Sequence, residues 1–418
     1  MTSLAAQMPG LGDHRGLRGT YRLFAAGNNA DISAHVQAFG PLPASGIEGD
    51  FIDVLESAGL TGRGGAAFAS WRKIAAAGAA ARSRAIMATK PVVIANGAEG
   101  EPLSFKDKTL LAHAPHVVID GLLCAARAVA GGQMFMYVSA PSIPAVKRAL
   151  AERTDARNIK IVAASETFIS GEASAVVNSI ANGKALPLER RRRLSDSGFK
   201  GRPTLVFNVE TLAHMALIAR FGAAWFRCVG TERDPGTRLL SISGPISGQI
   251  LEVAGDVSLE DVLTQSGIDV STVGALLVGG YHGRWVRRLD YRLAPTGTES
   301  HTVRPGAGVV HVLLHSQCGL EATAQIVSYL ATQSAKQCGP CMFGLPAMAR
   351  VMNAIAYGDR DPRLLLELVR LSDVVTGRGA CHHPDGTAEL VRSALDQFSE
   401  DVDAHLSGTC LKTKGRRS

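Results

Sequence analysis

Aromatic side chains are scarce in this 418-residue chain, at 5%. Proteins that hold single strands stack bases on aromatics, so that partner class is disfavoured. Cysteine is also sparse: seven in the whole chain, partly clustered, which does not make a disulfide framework. No uninterrupted apolar run is long enough to span a bilayer. The N-terminus lacks a charged start followed by an apolar core and a small-residue cleavage site. These absences predict a soluble, cytoplasmic protein without direct membrane insertion. A large surplus of either charge is missing too. The net charge of +7 is partly local, in Arg190 to Arg193 and in the tail Lys412, Lys414, Arg416 and Arg417. With no recognisable RNA- or DNA-binding module, it argues against nucleic acid.

What the chain has in excess is glycine, 45 residues, which points to tight turns and close backbone approaches to ligands. Its length exceeds what one core usually spans, so two or three domains are expected. Residues 1–45 mix Gly, Pro and polar residues and read as an N-terminal arm, extended or partly disordered. Residues 46–235 alternate strand and helix, with strands at 91–96, 134–138, 159–163 and 204–207 and helices at 110–129, 143–153, 173–180 and 209–220. That order predicts an α/β domain with a largely parallel sheet. Residues 236–315 read as a strand pair around G-P-I-S-G, a short helix capped by Ser258, and the strand A-L-L-V-G-G, a small β-grasp-like module. Residues 316–405 carry apolar residues at three- and four-residue spacing in four short helices, a C-terminal helical bundle. Residues 406–418 form a basic tail.

Several segments bear chemistry. In G-L-T-G-R-G-G-A-A-F-A-S-W-R-K-I, Gly62, Gly64 and Gly65 let backbone N–H groups crowd an anion, the following helix offers its N-terminus, and Arg63 and Lys73 add positive charge. A bare turn is the competing reading, since this is neither a dinucleotide fingerprint nor a Walker loop. In A-N-G-A-E-G-E-P, Asn96, Glu99 and Glu101 are able to hydrogen-bond a ribityl chain, a ribose or an isoalloxazine edge, or simply to form a polar loop. Glu172 in S-G-E-A-S opens a helix, where a carboxylate also complements the macrodipole. Cys338 and Cys341 form C-G-P-C, and Cys381 follows in G-R-G-A-C. Two residues between thiolates let one turn aim both sulfurs at one centre, which suits zinc or an iron–sulfur cluster.

Taken in order, G-R-G-G-A-x-F, N-x-x-E-G-E-P-x-x-F-K-D, I-S-G-E-x-S, G-R-P-T-x-x-x-N-V-E-T-L and C-x-x-C with a distant Cys resemble the NADH-binding flavoprotein subunit of respiratory complex I and its relatives in NAD-linked hydrogenases and formate dehydrogenases. The resemblance runs from about residue 50 to 405. It implies an FMN-binding α/β domain, an SLBB-like β-grasp module and a helical domain with one [4Fe-4S] cluster. It further implies NAD(P)H oxidation through FMN, with electrons leaving through the cluster to a redox partner such as a ferredoxin-like protein. By position, Gly62, Arg63, Gly64 and Lys73 would hold the FMN phosphate end. Asn96, Gly171, Glu172, Asn208 and Thr211 would line the flavin. Phe68 would face the nicotinamide nucleotide, with Glu101 a further contact. Cys338, Cys341 and Cys381 would ligate iron.

The chain departs from that pattern in two places. The family's S-C-G-x-C-x-x-C is here Ser334-Ala335-Lys336-Gln337-Cys338-Gly339-Pro340-Cys341, so Ala335 stands at the first ligand position. The alternatives are three thiolates with another fourth ligand, a three-iron or labile cluster, or no cluster. Cys318, His382 and His383 are substitute ligands to weigh; a core cysteine and loop histidines are the plainer roles. On the nucleotide side the second of two paired glutamates is Ala173, an acid is replaced by Ala98, an asparagine by Phe207, and the covering aromatic falls near Arg193. These losses leave open NADPH instead of NADH, a ferredoxin-docking surface, and a degenerate adaptor subunit without flux.

Overall fold

The computed structural model describes residues 22–28, 30–43, 51–83, 90–188, 192–294 and 301–412. Arg190 and Arg191 of the basic run, and Lys414, Arg416 and Arg417 of the tail, lie outside the described residues.

Three helices lead in: α1 (Ile32–Phe39), α2 (Phe51–Ala58) and α3 (Ser70–Ser83). The described end of the expected arm is therefore packed. Asp31 caps α1 by accepting from the Ala34 N–H, and His35 meets Asp120, which also pairs with Arg153 and Arg220. Four parallel strands follow, β1 (Val92–Gly97), β2 (Gln133–Val138), β3 (Ile159–Ala163) and β4 (Thr204–Asn208), in the spatial order β3-β2-β1-β4. Helices α4 (Lys106–His113), α5 (Pro115–Ala128), α6 (Ile143–Ala151), α7 (Ala173–Asn182) and α8 (Val209–Arg227) connect and cover them. Both faces are dry. Val93 and Ala95 of β1 enter one core, while Val92 and Ile94 enter the other, which is why the strand reads as a continuous apolar run.

The single helix expected over 110–129 is two, bent by 97°. Pro115 has no N–H to continue α4, and it starts α5 instead, where an unbonded N–H would be wasted anyway. Helices α5 and α8 cross at Gly121, where a Cβ would lie 1.8 Å from the Leu212 carbonyl oxygen. No single helix among the described residues is long and apolar enough to cross a membrane.

The second sheet holds β5 (Thr237–Ser243), β6 (Gln249–Ala254), β7 (Val273–Val278), β8 (Arg284–Val286) and β9 (Val309–Leu314), in the order β6-β5-β9-β7-β8. Only β5 and β9 run parallel. Helix α9 (Leu259–Gln265) packs on it, and Ser258 caps that helix through the Asp261 N–H. The helical part has five helices rather than four: α10 (Gly319–Thr332), α11 (Leu345–Tyr357), α12 (Arg363–Val375), α13 (His383–Gln397) and α14 (Ser399–Leu406). The last is separated from α13 by one non-helical residue, Phe398, a break that apolar spacing does not reveal.

Candidate cofactor crevice and thiol cluster

From β1 the chain winds outward through β2 and β3, then returns to the other side of β1 as β4. Such a reversal leaves a crevice beyond the carboxyl ends of the two flanking strands, the usual ligand position in open α/β sheets. Asn96 and Asn208 are register partners at those ends, and the glycine-rich loop closes over them.

That loop is pinched at its base. The Gly62 N–H donates to the Phe68 carbonyl, the Ser70 N–H to the Leu60 carbonyl, and Thr61 bridges Ala69. Gly64 packs on Asn208, whose Cβ would lie 3.1 Å from an added Cβ, so a side chain there would require Asn208 to shift by a few tenths of an ångström. The Arg63 N–H donates to Thr211 Oγ1 at 2.8 Å in the first turn of α8. Its guanidinium turns away from the crevice. It pairs with Asp234 at 2.9 Å and donates to the Pro235 carbonyl, and burial lowers its pKa to about 10. So placed, Arg63 fastens the loop from behind, with an interior carboxylate taking its charge. Lys73 differs. Its ammonium lies 3.5 Å from the Val206 carbonyl, near the rings of Phe68 and Phe207, and burial lowers its pKa. Among the described residues no carboxylate forms an ion pair with it. A desolvated cation without an ion-pair partner beside a glycine-rich loop fits a phosphate.

Asn96 donates to the Gly171 carbonyl at 2.9 Å, joining the end of β1 to the turn before α7. Glu172 caps α7, accepting from the N–H groups of Ser174 and Ala175 and from the Ser174 hydroxyl. Asn208 caps α8 through the Glu210 N–H, accepts from Lys106 and donates to Asp107. Behind it lies a buried ionic cluster that sequence reasoning did not single out as a unit. Lys106 Nζ is 2.6 Å from Asp107 and 2.9 Å from Glu210. Burial would lower the Lys106 pKa, but the two carboxylates raise it overall. The F-K-D string was its visible trace; the third member, Glu210, comes from another segment.

Phe68 sits at the rim, 48% exposed. Glu101 is half-buried and accepts from the N–H groups of Leu103 and of Tyr281, the latter in the turn between β7 and β8. Desolvation raises its pKa to about 7 from an ordinary 4.5, despite those two donors. A carboxyl with a raised folded pKa binds its proton more tightly folded than unfolded, so its contribution to stability falls as pH rises from about 4.5 to about 7. Glu101→Gln is expected to flatten that part of the stability–pH curve measured by urea denaturation; the same slope in both proteins would refute the assignment.

The three candidate iron ligands converge. Cys341 and Cys381 are buried and Cys338 is half-buried. The Cys341 thiol is raised to about 12 by burial and by its neighbours Cys338 and Cys381, while the Ala335 N–H donates to its sulfur. The Met342 N–H closes the turn on the Cys338 carbonyl. Lys336, at the family's glycine position, still adopts a left-handed φ of 53°. The thiol set fits an iron–sulfur cluster at three corners, and the Ala335 methyl offers nothing to the fourth. His383 cannot fill it, since its ring nitrogens meet the Leu330 carbonyl at 2.8 Å and His282 at 3.1 Å. His382 is a loop residue, its side chain 74% exposed and paired with Asp385. Cys318 lies before α10, whose 14 residues put about 21 Å between its ends, so it cannot substitute for position 335. Arg192 and Arg193 are exposed, and Phe207 is buried.

Two family models match. One, described as the Nuo51 FMN-binding domain, covers residues 55–217. The other, the NADH-ubiquinone oxidoreductase-F iron-sulfur binding region, covers 321–405. The chain is similar to the F subunit of NADH-quinone oxidoreductase from Mycobacterium tuberculosis (strain ATCC 25618 / H37Rv), at 28% identity over 86% of this chain and 85% of that one. Similarity to the corresponding F subunit of Escherichia coli (strain K12) is 26% over 85% and 84%. For the HndC subunit of the NADP-reducing hydrogenase of Solidesulfovibrio fructosivorans it is 24% over 85% and 76%. Among solved structures, a chain of the NAD+-reducing [NiFe]-hydrogenase in the air-oxidized state superposes with a TM-score of 0.76 at 26% identity. The match covers 85% of this chain but only 62% of the hydrogenase chain.

Proposed function

The chain belongs to the family of NADH-binding FMN and iron–sulfur subunits of complex I and NAD-linked hydrogenases, and on that premise we propose that it oxidises NAD(P)H through FMN and delivers electrons through an iron–sulfur cluster to a partner redox subunit. The observation that carries the reading is the pairing, on one chain, of a switch-point crevice holding the desolvated Lys73 with three converging thiols. Flavin and cluster together would turn a two-electron donor into single-electron steps. The loop backbone at Gly62–Gly65 and Lys73 would hold the phosphate end. Asn96, Gly171, Glu172, Asn208 and Thr211 would fix the walls, much of their polar capacity already spent on one another and on helix caps. Phe68 would cover the nucleotide at the rim, with Glu101 beneath it. Cys338, Cys341 and Cys381 would take the iron. The second sheet with α9 is read as an SLBB-like β-grasp spacer, and the five helices as the cluster-bearing bundle. The domain limits follow the sequence reading: 46–235, 236–315 and 316–405. A ferredoxin-like protein of the same complex would be the electron acceptor, in the cytoplasm.

Ala335 favours a second reading, an adaptor that keeps the fold and has lost flux. One experiment separates them. The FMN-loaded chain is titrated anaerobically with NADH and with NADPH, and bleaching of the flavin band by either is the expected result. A flavin band that neither nucleotide bleaches would sink the dehydrogenase reading. Lys73→Met is expected to weaken FMN binding by about 10- to 100-fold, the worth of one charge-assisted contact of roughly 1.5–3 kcal/mol. Unchanged affinity would remove Lys73 from the phosphate site.

A further inference from the structure

We propose that Cys318, His405 and Cys410 form a second metal site, structural in role, that takes Zn2+ at the end of α10 remote from the thiol cluster. The ligand atoms of the three residues all lie within 4.8 Å of one another. Cys318 Sγ and His405 Nε2 are 3.5 Å apart. A tetrahedral zinc with sulfur at about 2.3 Å and nitrogen at about 2.0–2.1 Å has an S···N edge of about 3.6 Å. The pair therefore stands nearly at coordination spacing.

The surroundings are those of a metal site. His405 is 1% exposed on α14, one turn after the buried Asp401, and its Nδ1 lies 3.3 Å from the Ile355 carbonyl of α11. A carbonyl only accepts, so in the neutral ring Nδ1 carries the proton and Nε2 presents its lone pair toward Cys318. Cys318 is the residue immediately before α10, and the N–H groups of Leu320 and Glu321 donate to its sulfur. Burial outweighs those donors and raises the Cys318 thiol to about 12, so a metal would have to displace its proton. Cys318 and Cys410 are 8% and 9% exposed, closed enough to exclude a large ligand. Two thiolates and an imidazole select zinc over hard cations. The fourth position falls to water or to the carboxylate of Glu321, whose charge already acts on Cys318. Plain packing of buried cysteines does not account for a histidine aimed at one of them through a fixed tautomer. Bound metal would tie the start of α10, the body of α14 and the segment after it into one joint.

The test uses the full-length chain, reduced and stripped of metal, with Co2+ alone as the probe. The Cys338→Ser/Cys341→Ser/Cys381→Ser variant silences the other thiols. One equivalent of Co2+ is expected, with thiolate charge-transfer and tetrahedral d–d bands that Zn2+ abolishes. His405→Gln and Cys410→Ala on that background are expected to weaken binding by roughly 100-fold or more. Cys410 follows the last helix, so its change leaves the helices intact, which far-UV circular dichroism checks. If the triple variant does not fold, the same two changes are read in the wild-type chain as loss of one of two Co2+ equivalents. Cobalt spectra unaffected by either change would overturn the proposal. So would a zinc-free chain, freshly purified, in which Cys318 and Cys410 are recovered as a disulfide.

Discussion

Ala335→Cys is expected to convert a cluster held by three protein thiolates into one held by four. Anaerobically reconstituted variant should retain about four iron atoms per chain through gel filtration and brief exposure to air, where the parent chain loses them. The geometry prepares for this. The Ala335 N–H already donates to Cys341 Sγ, so position 335 borders the cluster site, and Lys336 already holds the left-handed turn that brings the segment round. Only the sulfur is lacking. Cys381→Ser should act in the opposite direction and abolish retained iron, because it removes a buried corner donor that no neighbouring histidine can replace. Equal iron retention in the parent chain, Ala335→Cys and Cys381→Ser would remove this thiol set as the iron site.

Lys106→Met is expected to cost about 3–5 kcal/mol of stability, the usual penalty for stripping the partner from buried carboxylates. Lys106 is 3% exposed, Asp107 4% and Glu210 1%, so water cannot take over the solvation of Asp107 and Glu210. Glu210 also accepts from the Leu239 N–H at the start of the second sheet, and Asp107 holds Asn208. The loss should thus appear both as a lower midpoint in urea and as weaker FMN binding. Adding Asp107→Asn and Glu210→Gln to Lys106→Met removes the stranded charges and should recover part of the stability. A drop below about 1 kcal/mol for the single variant would mean that the carboxylates are protonated or hydrated in the folded chain.

The sequence carried the α/β alternation well because β1, β2 and β4 are apolar on both faces, which leaves a run that no amphipathic helix imitates. The individual helices after residue 316 were legible from apolar residues at three- and four-residue spacing, apart from α14, whose only boundary is a single residue. The missing thiol at Ala335 was readable outright, since coordination depends on residue type. What the sequence hid was direction. Arg63 in a glycine-rich loop looks like an anion ligand, yet Asp234, far along the chain, turns it inward. Glu172 and Asn208 look like ligand contacts and are found capping helices. The Cys318–His405–Cys410 group escaped notice because its members are far apart in sequence and no spacing rule unites them.

The first domain is tied to the second sheet at Leu239, whose N–H donates to Glu210, and to the turn after β7 at Tyr281, whose N–H donates to Glu101. One acceptor is a fully buried carboxylate of the ionic cluster, the other a half-buried carboxyl. A hinge between the two sheets would have to break both at once. The crevice is therefore a slot with fixed walls. Traffic through it is left to small movements at the lip, where Phe68 stands exposed, and turnover should be insensitive to solvent viscosity.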